Sequence, residues 1–251
     1  MPDGDFLGGF AKGLKVIEAF GENTPKLAIS DVAKAAGLDR ATARRCLLTL
    51  SQLGYADYDG KFFALTPKIL RLGHAYLSAT PLPQLVQPCL DKLSAEVGQS
   101  ASVSVLDATE IVYVARASQR RVMSINLMPG SRLPAYCASM GRVLLAALGE
   151  EDARTILNQT MLKPFTPHTK TEISVLMKEL TVVRLQGFAI IDQELELGLC
   201  SIAVPLTNGR GKIIAALNIG APAASVPAGE MAGRYLKPLQ AVAAALRPIL
   251  Y

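Results

Sequence analysis

Arg40, Arg44 and Arg45, with Lys34 before them and only Asp39 against them, form a small basic cluster around the run RATARR. A guanidinium offers a two-pronged donor to guanine, and Thr42 in the same run can reach a phosphate or a thymine methyl. At 3.6 residues per turn, Ala43, Cys46, Leu47 and Leu50 share one apolar face. The opposite face carries Ala41, Arg45 and Gln52, flanked by Arg44 and Thr42, with Arg40 in the exposed first turn. Ala41 and Ala43 keep that end slim enough for a major groove. Arg40, Ala41, Thr42, Arg44, Arg45 and Thr49 are therefore the candidate DNA contacts. The competing reading is a surface helix with three solvated arginines, and the elements around it must decide.

Those elements fall into an order. Residues 1–9, with three glycines and two aspartates, read as a loose tail, and Phe10 to Phe20 has helical spacing. Ser30 is placed to cap a short helix, SDVAKAAG, that stops at Gly37; Asp39 caps the next, which ends at Gly54. Two helices joined around a glycine form a helix-turn-helix pattern. The segment YADYDGKFFALTP then alternates around Asp59-Gly60, a hairpin signal. Each part has a role in one docking geometry, a winged helix-turn-helix on DNA. Residues 67–98 read as helical with breaks at Pro81 and Pro83, and Val86, Cys89, Leu90, Leu93 and Val97 make an apolar stripe suited to a connecting helix or to holding two copies. Beyond it, SVSVLD, EIVYVAR, VMSINL, SIAVPL and IIAALNIG predict strands, the last two flanking the Asn208-Gly209 turn. Helices are expected at 139–148, 150–159, 171–186 and 228–246. The expected class is α+β: a winged helix-turn-helix at 10–75, a linker helix at 76–98 and an effector-binding domain at 99–251.

Composition excludes several functions. Half of the 251 residues are hydrophobic and 19% are charged, so the chain has ample core and no disorder signature. Its apolar runs are too short to span a bilayer, and Asp3 and Asp5 sit where a secretory signal needs positive charge. The net charge of +5 is not concentrated at the N-terminus, where residues 1–75 hold 10 Lys/Arg against 8 Asp/Glu. Four cysteines without a CxxC pair argue against zinc and against a disulfide framework, which fits a cytoplasmic protein. Only His74 and His168 are available to a catalytic triad, no GxSxG is present, and the Gly-Arg-Gly at 209–211 precedes a strand. No enzyme, cofactor or metal site is expected.

FAKGLKVIEAF, AISDVAKAAGLDRATARRCLLTL and LSQLGYADYDGKFFALTP strongly resemble the DNA-binding domain of the IclR family of bacterial transcriptional regulators. GSRLPAYCASMGRVLLA and ELELGLCSIAVPL resemble that family's ligand-sensing domain. The motifs RATARRCLLTL and INLMPGSRLPAYCASMGRVLLA are similar to the branch that regulates protocatechuate, 4-hydroxybenzoate and β-ketoadipate catabolism. The resemblance implies a winged-helix domain, a linker helix and a GAF-like effector domain. It also implies a dimer or a dimer of dimers on palindromic operator DNA, responding to a small organic acid. The alternative is a ligand-binding protein whose winged helix meets other proteins and not DNA.

The start of the helix SMGRVLLAAL leaves N–H groups at Ser139, Met140 and Gly141 free to hold an anion. The family pattern puts small-ligand contacts there, at Ser201 and Asn218, and near Asp192, with Ile125, Leu133 and Leu199 as apolar lining. Each has a plainer alternative: Ser139 as a helix cap, Ser201 and Asn218 as partners of buried backbone, Asp192 paired with a cation such as Arg132. Cys200 stands where the aromatic-acid branch usually has arginine. A redox role for it lacks a basic cluster to lower its pKa.

Overall fold

The computed structural model describes residues 6–21, 24–118 and 127–251. Residues 1–5 of the expected tail, most of the expected VMSINL strand and Ile125 lie outside that set. The chain divides into two compact units, Met1–Thr80 and Pro81–Tyr251.

In the first unit, α1 (Gly8–Glu18), α2 (Ile29–Ala36) and α3 (Arg40–Gln52) precede a hairpin of β1 (Ala56–Tyr58) and β2 (Phe63–Leu65). Val16, Val32, Ala33, Ala43, Leu47, Leu50 and Phe63 bury one small core between them. Of Leu14, Val16, Ile17 and Phe20, which carry the expected helical spacing, only Val16 is fully buried; Ile17 and Phe20 are partly buried against the core and Leu14 is exposed. Ser30 does not cap α2. The helix begins one residue earlier, and Asp31 in its first turn accepts from the Ala28 N–H at 3.2 Å. Gly37 ends α2 at φ 65°, the left-handed region that glycine enters without a Cβ penalty. The Asp59 carboxylate accepts from the Lys61 and Phe62 N–H groups and so forms the hairpin turn. Leu27 and Phe63 exchange backbone hydrogen bonds, tying the chain ahead of α2 to the wing.

A short helix, α4 (Leu70–Ala79), completes this unit, and α5 (Leu82–Val97) opens the second. The division at Thr80–Pro81 corrects the expected linker helix over 76–98. Val86, Leu90 and Leu93 are buried against the sheet of the second unit, so the stripe is core within one chain and not a free surface. Periodicity identifies an apolar face but not what covers it.

The second unit holds β3 (Ser100–Asp107), β4 (Glu110–Ala117), β5 (Arg132–Pro134), α6 (Ser139–Ala146), α7 (Glu150–Gln159) and α8 (Ile173–Gln186). These are followed by β6 (Ala189–Asp192), β7 (Leu199–Thr207), β8 (Ile213–Pro222) and α9 (Ala228–Leu246). The strands form one antiparallel sheet in the order β5-β4-β3-β8-β7-β6. One face is apolar and covered by α5 and α9. The other, with Ser102, Ser104, Ser201 and Asn218, lies under α6, which packs in turn on α8. This is the α+β arrangement the alternating strands predict. Among the described residues no helix is long and apolar enough to cross a membrane.

Candidate functional site

The helix α3 is held at both ends. Asp39 accepts from the Thr42 N–H at 2.8 Å, and hydrogen bonds from the side chain and backbone of Thr42 keep its carboxyl below the usual range. At the other end the Lys68 ammonium donates to the Leu53 carbonyl at 2.7 Å, a cation at the negative pole of the helix. Arg40, Ala41, Arg44, Arg45 and Thr49 are all exposed. Among them Arg45 and Thr49 border a groove of about 570 Å³ shared with Phe10, Leu14 and Leu53. Thr42 departs from expectation: it is 7% exposed, and its engagement with Asp39 turns it from the surface. The free N-terminal face is thus Arg40, Ala41 and Arg44, with Arg45 beside it.

In the second unit a small cavity opens between the sheet and the start of α6. Leu133, Ser139, Met140, Leu199, Ser201 and Asn218, all expected from the sequence, line it. Ser139 is 1% exposed and its Oγ has no partner; the Asn218 Oδ1 is likewise buried and unpartnered. Ser139 therefore does not act as a helix cap, since the Ala138 N-cap position receives no side-chain bond. Buried polar atoms without partners carry a desolvation cost that a bound ligand can relieve.

Several lining residues went unrecognised, the polar Ser102, Tyr113 and Arg116 among them. The Arg116 Nη1 donates to the Ser102 Oγ at 3.1 Å. Burial lowers the Arg116 guanidinium from its ordinary value, yet a base this strong stays charged. Burial likewise pushes the Tyr113 phenol up to about 12 and keeps it neutral. The signal available in sequence was the run SASVSV, small polar residues at period 2 on the face below α6.

Two expected contacts are not in this cavity. Asp192 pairs with Cys200 across β6 and β7, while its neighbour Ile191 pairs with Ser201 and faces the pocket. Successive strand residues alternate faces, so the Asp192 carboxylate points away from the cavity and is exposed. It accepts from the Cys200 thiol at 3.2 Å. It does not pair with Arg132, which bridges Asp107 and Glu110. Gly141 serves packing: a Cβ there would stand 2.1 Å from the Ala135 carbonyl oxygen, so only glycine lets α6 lie against the turn at 135–137. Burial first and Asp192 second push the Cys200 thiol up to about 12, the opposite of a redox-reactive cysteine.

A capped recognition helix with a wing, followed by an α+β unit with a cavity whose apolar wall carries a few polar groups, defines a DNA-binding regulator with its own sensor. The helix-turn-helix model of the IclR type matches residues 10–60, and the model of the bacterial transcriptional regulator IclR C-terminal domain matches residues 74–247. The chain belongs to the IclR family of bacterial transcriptional regulators. It is 44% identical to the Pca regulon regulatory protein of Pseudomonas putida over 93% of this chain and 81% of the relative. A transcriptional regulator from Rhodococcus sp. RHA1 superposes with a TM-score of 0.81 at 42% identity, covering 95% of this chain and 96% of that one. The inducer-binding domain of the PobR transcription factor from Acinetobacter, a double mutant in complex with 3-hydroxybenzoic acid, is 34% identical. It covers 67% of this chain and 98% of its own with a TM-score of 0.64.

Proposed function

We propose that the chain reads operator DNA with the N-terminal half of α3 and senses a small hydroxylated aromatic acid in the cavity beside α6. Arg116 carries the acid reading. It is a half-buried guanidinium, the one basic side chain among the described lining residues, set among hydroxyls, an amide and apolar side chains. A carboxylate would meet Arg116 and Ser102 by charge-assisted hydrogen bonds, with the Ser139 hydroxyl and the positive pole of α6 close by. The unpartnered Asn218 Oδ1 is an acceptor, and a ring hydroxyl would supply its donor. That complement favours a hydroxybenzoate or protocatechuate over β-ketoadipate, which carries no hydroxyl group outside its carboxyls. The 3-hydroxybenzoic acid held by the related PobR inducer-binding domain points the same way.

The cavity measures about 40 Å³. A cavity that admits a benzene ring is roughly 150 Å³. Binding an aromatic acid therefore requires the walls to move apart, and a ligand that favours the wider arrangement shifts the balance of states. One α3 covers a short half-site, which supports a dimer or dimer of dimers on a palindrome. Calorimetry with 4-hydroxybenzoate, protocatechuate, unsubstituted benzoate and β-ketoadipate tests the acid reading. The hydroxylated aromatic acids should bind most tightly, and Asn218→Leu should abolish their binding while the protein still shifts operator DNA. Wild-type affinity in Asn218→Leu would place the effector elsewhere.

A further inference from the structure

Arg142 sits one helical turn beyond Ser139 on α6 and is 1% exposed, as deeply buried as the residues of an apolar core. Its Nε donates to the Tyr136 carbonyl at 2.5 Å, its Nη2 to the Glu194 carboxylate at 2.8 Å, and its Nη1 to Glu179 on α8 at 3.4 Å. Glu194 is itself 3% exposed and also accepts from the Lys170 N–H at 3.1 Å. The backbone around Glu194 is fixed from the same side: Thr166 donates to the Gln193 carbonyl at 2.6 Å and Thr169 to the Glu194 carbonyl at 2.5 Å. Tyr136 is anchored in turn, its hydroxyl donating to the Lys163 carbonyl and accepting from the Lys163 N–H.

The two segments that Arg142 joins are both walls of the cavity. The turn at 135–137 leads into Cys137 and Ala138, and the connection from β6 to β7 carries Leu195; all three line the pocket. Gln193 at the start of that connection adopts φ 56°, a left-handed conformation rarely taken by a residue with a Cβ. Its amide oxygen accepts from the Gly198 N–H, closing the loop on itself. Arg142 does not line the cavity, so its charge is not spent on a ligand. A buried ion pair is a weak source of net stability compared with apolar packing, but it fixes geometry because each donor demands its acceptor.

We propose that the Arg142–Glu194 pair is a positioning device for the effector pocket, holding the 135–138 turn and the 193–198 connection at a set separation around Ser139. Arg142 and Glu194 are positioning residues, acting through Ala138 and Leu195 on any acid bound between them. This rests on the effector reading for its consequence in binding, but the coupling of the two walls is measurable without ligand.

The experiment uses the full chain as Glu194→Gln and as the double variant Arg142→Met, Glu194→Leu, the second chosen because replacing both charges by apolar groups often preserves stability. Amide hydrogen exchange is recorded without ligand, followed by calorimetry with 4-hydroxybenzoate and 3-hydroxybenzoate. In both variants exchange should accelerate in 135–138 and 193–198 together, while β8 and α3 keep wild-type protection. Affinity for the preferred isomer should fall by about three- to thirtyfold, the range for residues that act on a site without touching it, and discrimination between the two isomers should shrink. A merely structural role would lower the melting temperature without compressing the discrimination. Loosening of only one wall, or none, in the double variant overturns the proposal even if the protein proves to bind neither acid; wild-type discrimination in a double variant of normal stability overturns it as well. Failure of the wild type to bind either isomer would count against the effector reading alone.

Discussion

Tyr113 and Arg116 stand on the same face of the sheet, although residues three apart in a regular strand point to opposite faces. The pairing of β3 with β4 passes from Ser104–Tyr113 to Val103–Ala115, so Val114 is an extra residue at a bulge. The bulge re-aims Arg116 into the cavity beside Ser102. Replacing Arg116 with Met should keep the stem packing and remove the cation. A hydrogen bond to a charged group contributes about 1.5–3 kcal/mol, so affinity for an aromatic acid should fall roughly ten- to hundredfold. Calorimetry measures this directly, and undiminished affinity would remove Arg116 from the site.

The same bulge explains why Arg116 was not legible in the sequence. Strict alternation along EIVYVARA puts Arg116 opposite Tyr113, and no local signal marks the insertion. Asp192 failed for a related reason, because its facing depends on which residue of β7 it meets, and β6 has only four residues in which to show a pattern. What was legible rests on local chemistry: the Asp39 cap, the turn at Asp59-Gly60, the stop at Gly37, and the alternation of SVSVLD that marks β3 as a strand. The α5 stripe is covered by the adjacent β3 and β4 together with α9 from the far end of the chain, and periodicity reports neither partner.

For the DNA interface, Arg44→Ala and Arg45→Ala should each weaken specific operator binding by about 1–3 kcal/mol if the side chain reads a base. A residue that contacts only phosphate should weaken all sequences alike and flatten the salt dependence. Thr42→Ala is expected to act through the Asp39 cap and so to lower the stability of the first unit more than its base selectivity. Titrations of operator and scrambled DNA at several salt concentrations separate these cases. Unchanged affinity in a folded Arg44→Ala, Arg45→Ala protein would contradict the assignment of α3.

The cysteines divide by burial. Burial pushes the thiols of Cys137 and Cys200 up to about 12, whereas Cys46 and Cys89 are only partly buried. Alkylation of the native protein at pH 8, followed by mass spectrometry, should label Cys46 and Cys89 well before the other two. The raised values also set an alkaline limit. A folded state that retains these protons longer than the unfolded chain loses stability once pH exceeds the thiol's unfolded value near 9.0, and the loss continues toward 12. The melting temperature of the second unit should therefore decline from pH 9 upward, and less steeply in Cys200→Ser.

Gly141 and Gly233 predict opposite results from one substitution. Both lie within helices of the second unit, α6 and α9, where exchanging glycine for alanine should by backbone entropy alone add about 0.4–1 kcal/mol of stability. At Gly233 a Cβ meets nothing within 4 Å, so Gly233→Ala should realise that gain. At Gly141 the Cβ would lie 2.1 Å from the oxygen and 2.4 Å from the Cα of Ala135, both backbone atoms that cannot rotate away. Forcing atoms into a packed interior costs roughly 1–3 kcal/mol, and more where backbone must move. The clash outweighs the entropy gain, so Gly141→Ala should melt several degrees below wild type while Gly233→Ala melts above it. Displacement of Ala135 would also shift Cys137 and Ala138 at the pocket wall, so the loss of stability should be accompanied by weaker acid binding. Differential scanning calorimetry of the two variants, with the transition of the second unit followed separately, tests the pair. Equal melting temperatures would mean that α6 does not press on the 135–137 turn in solution.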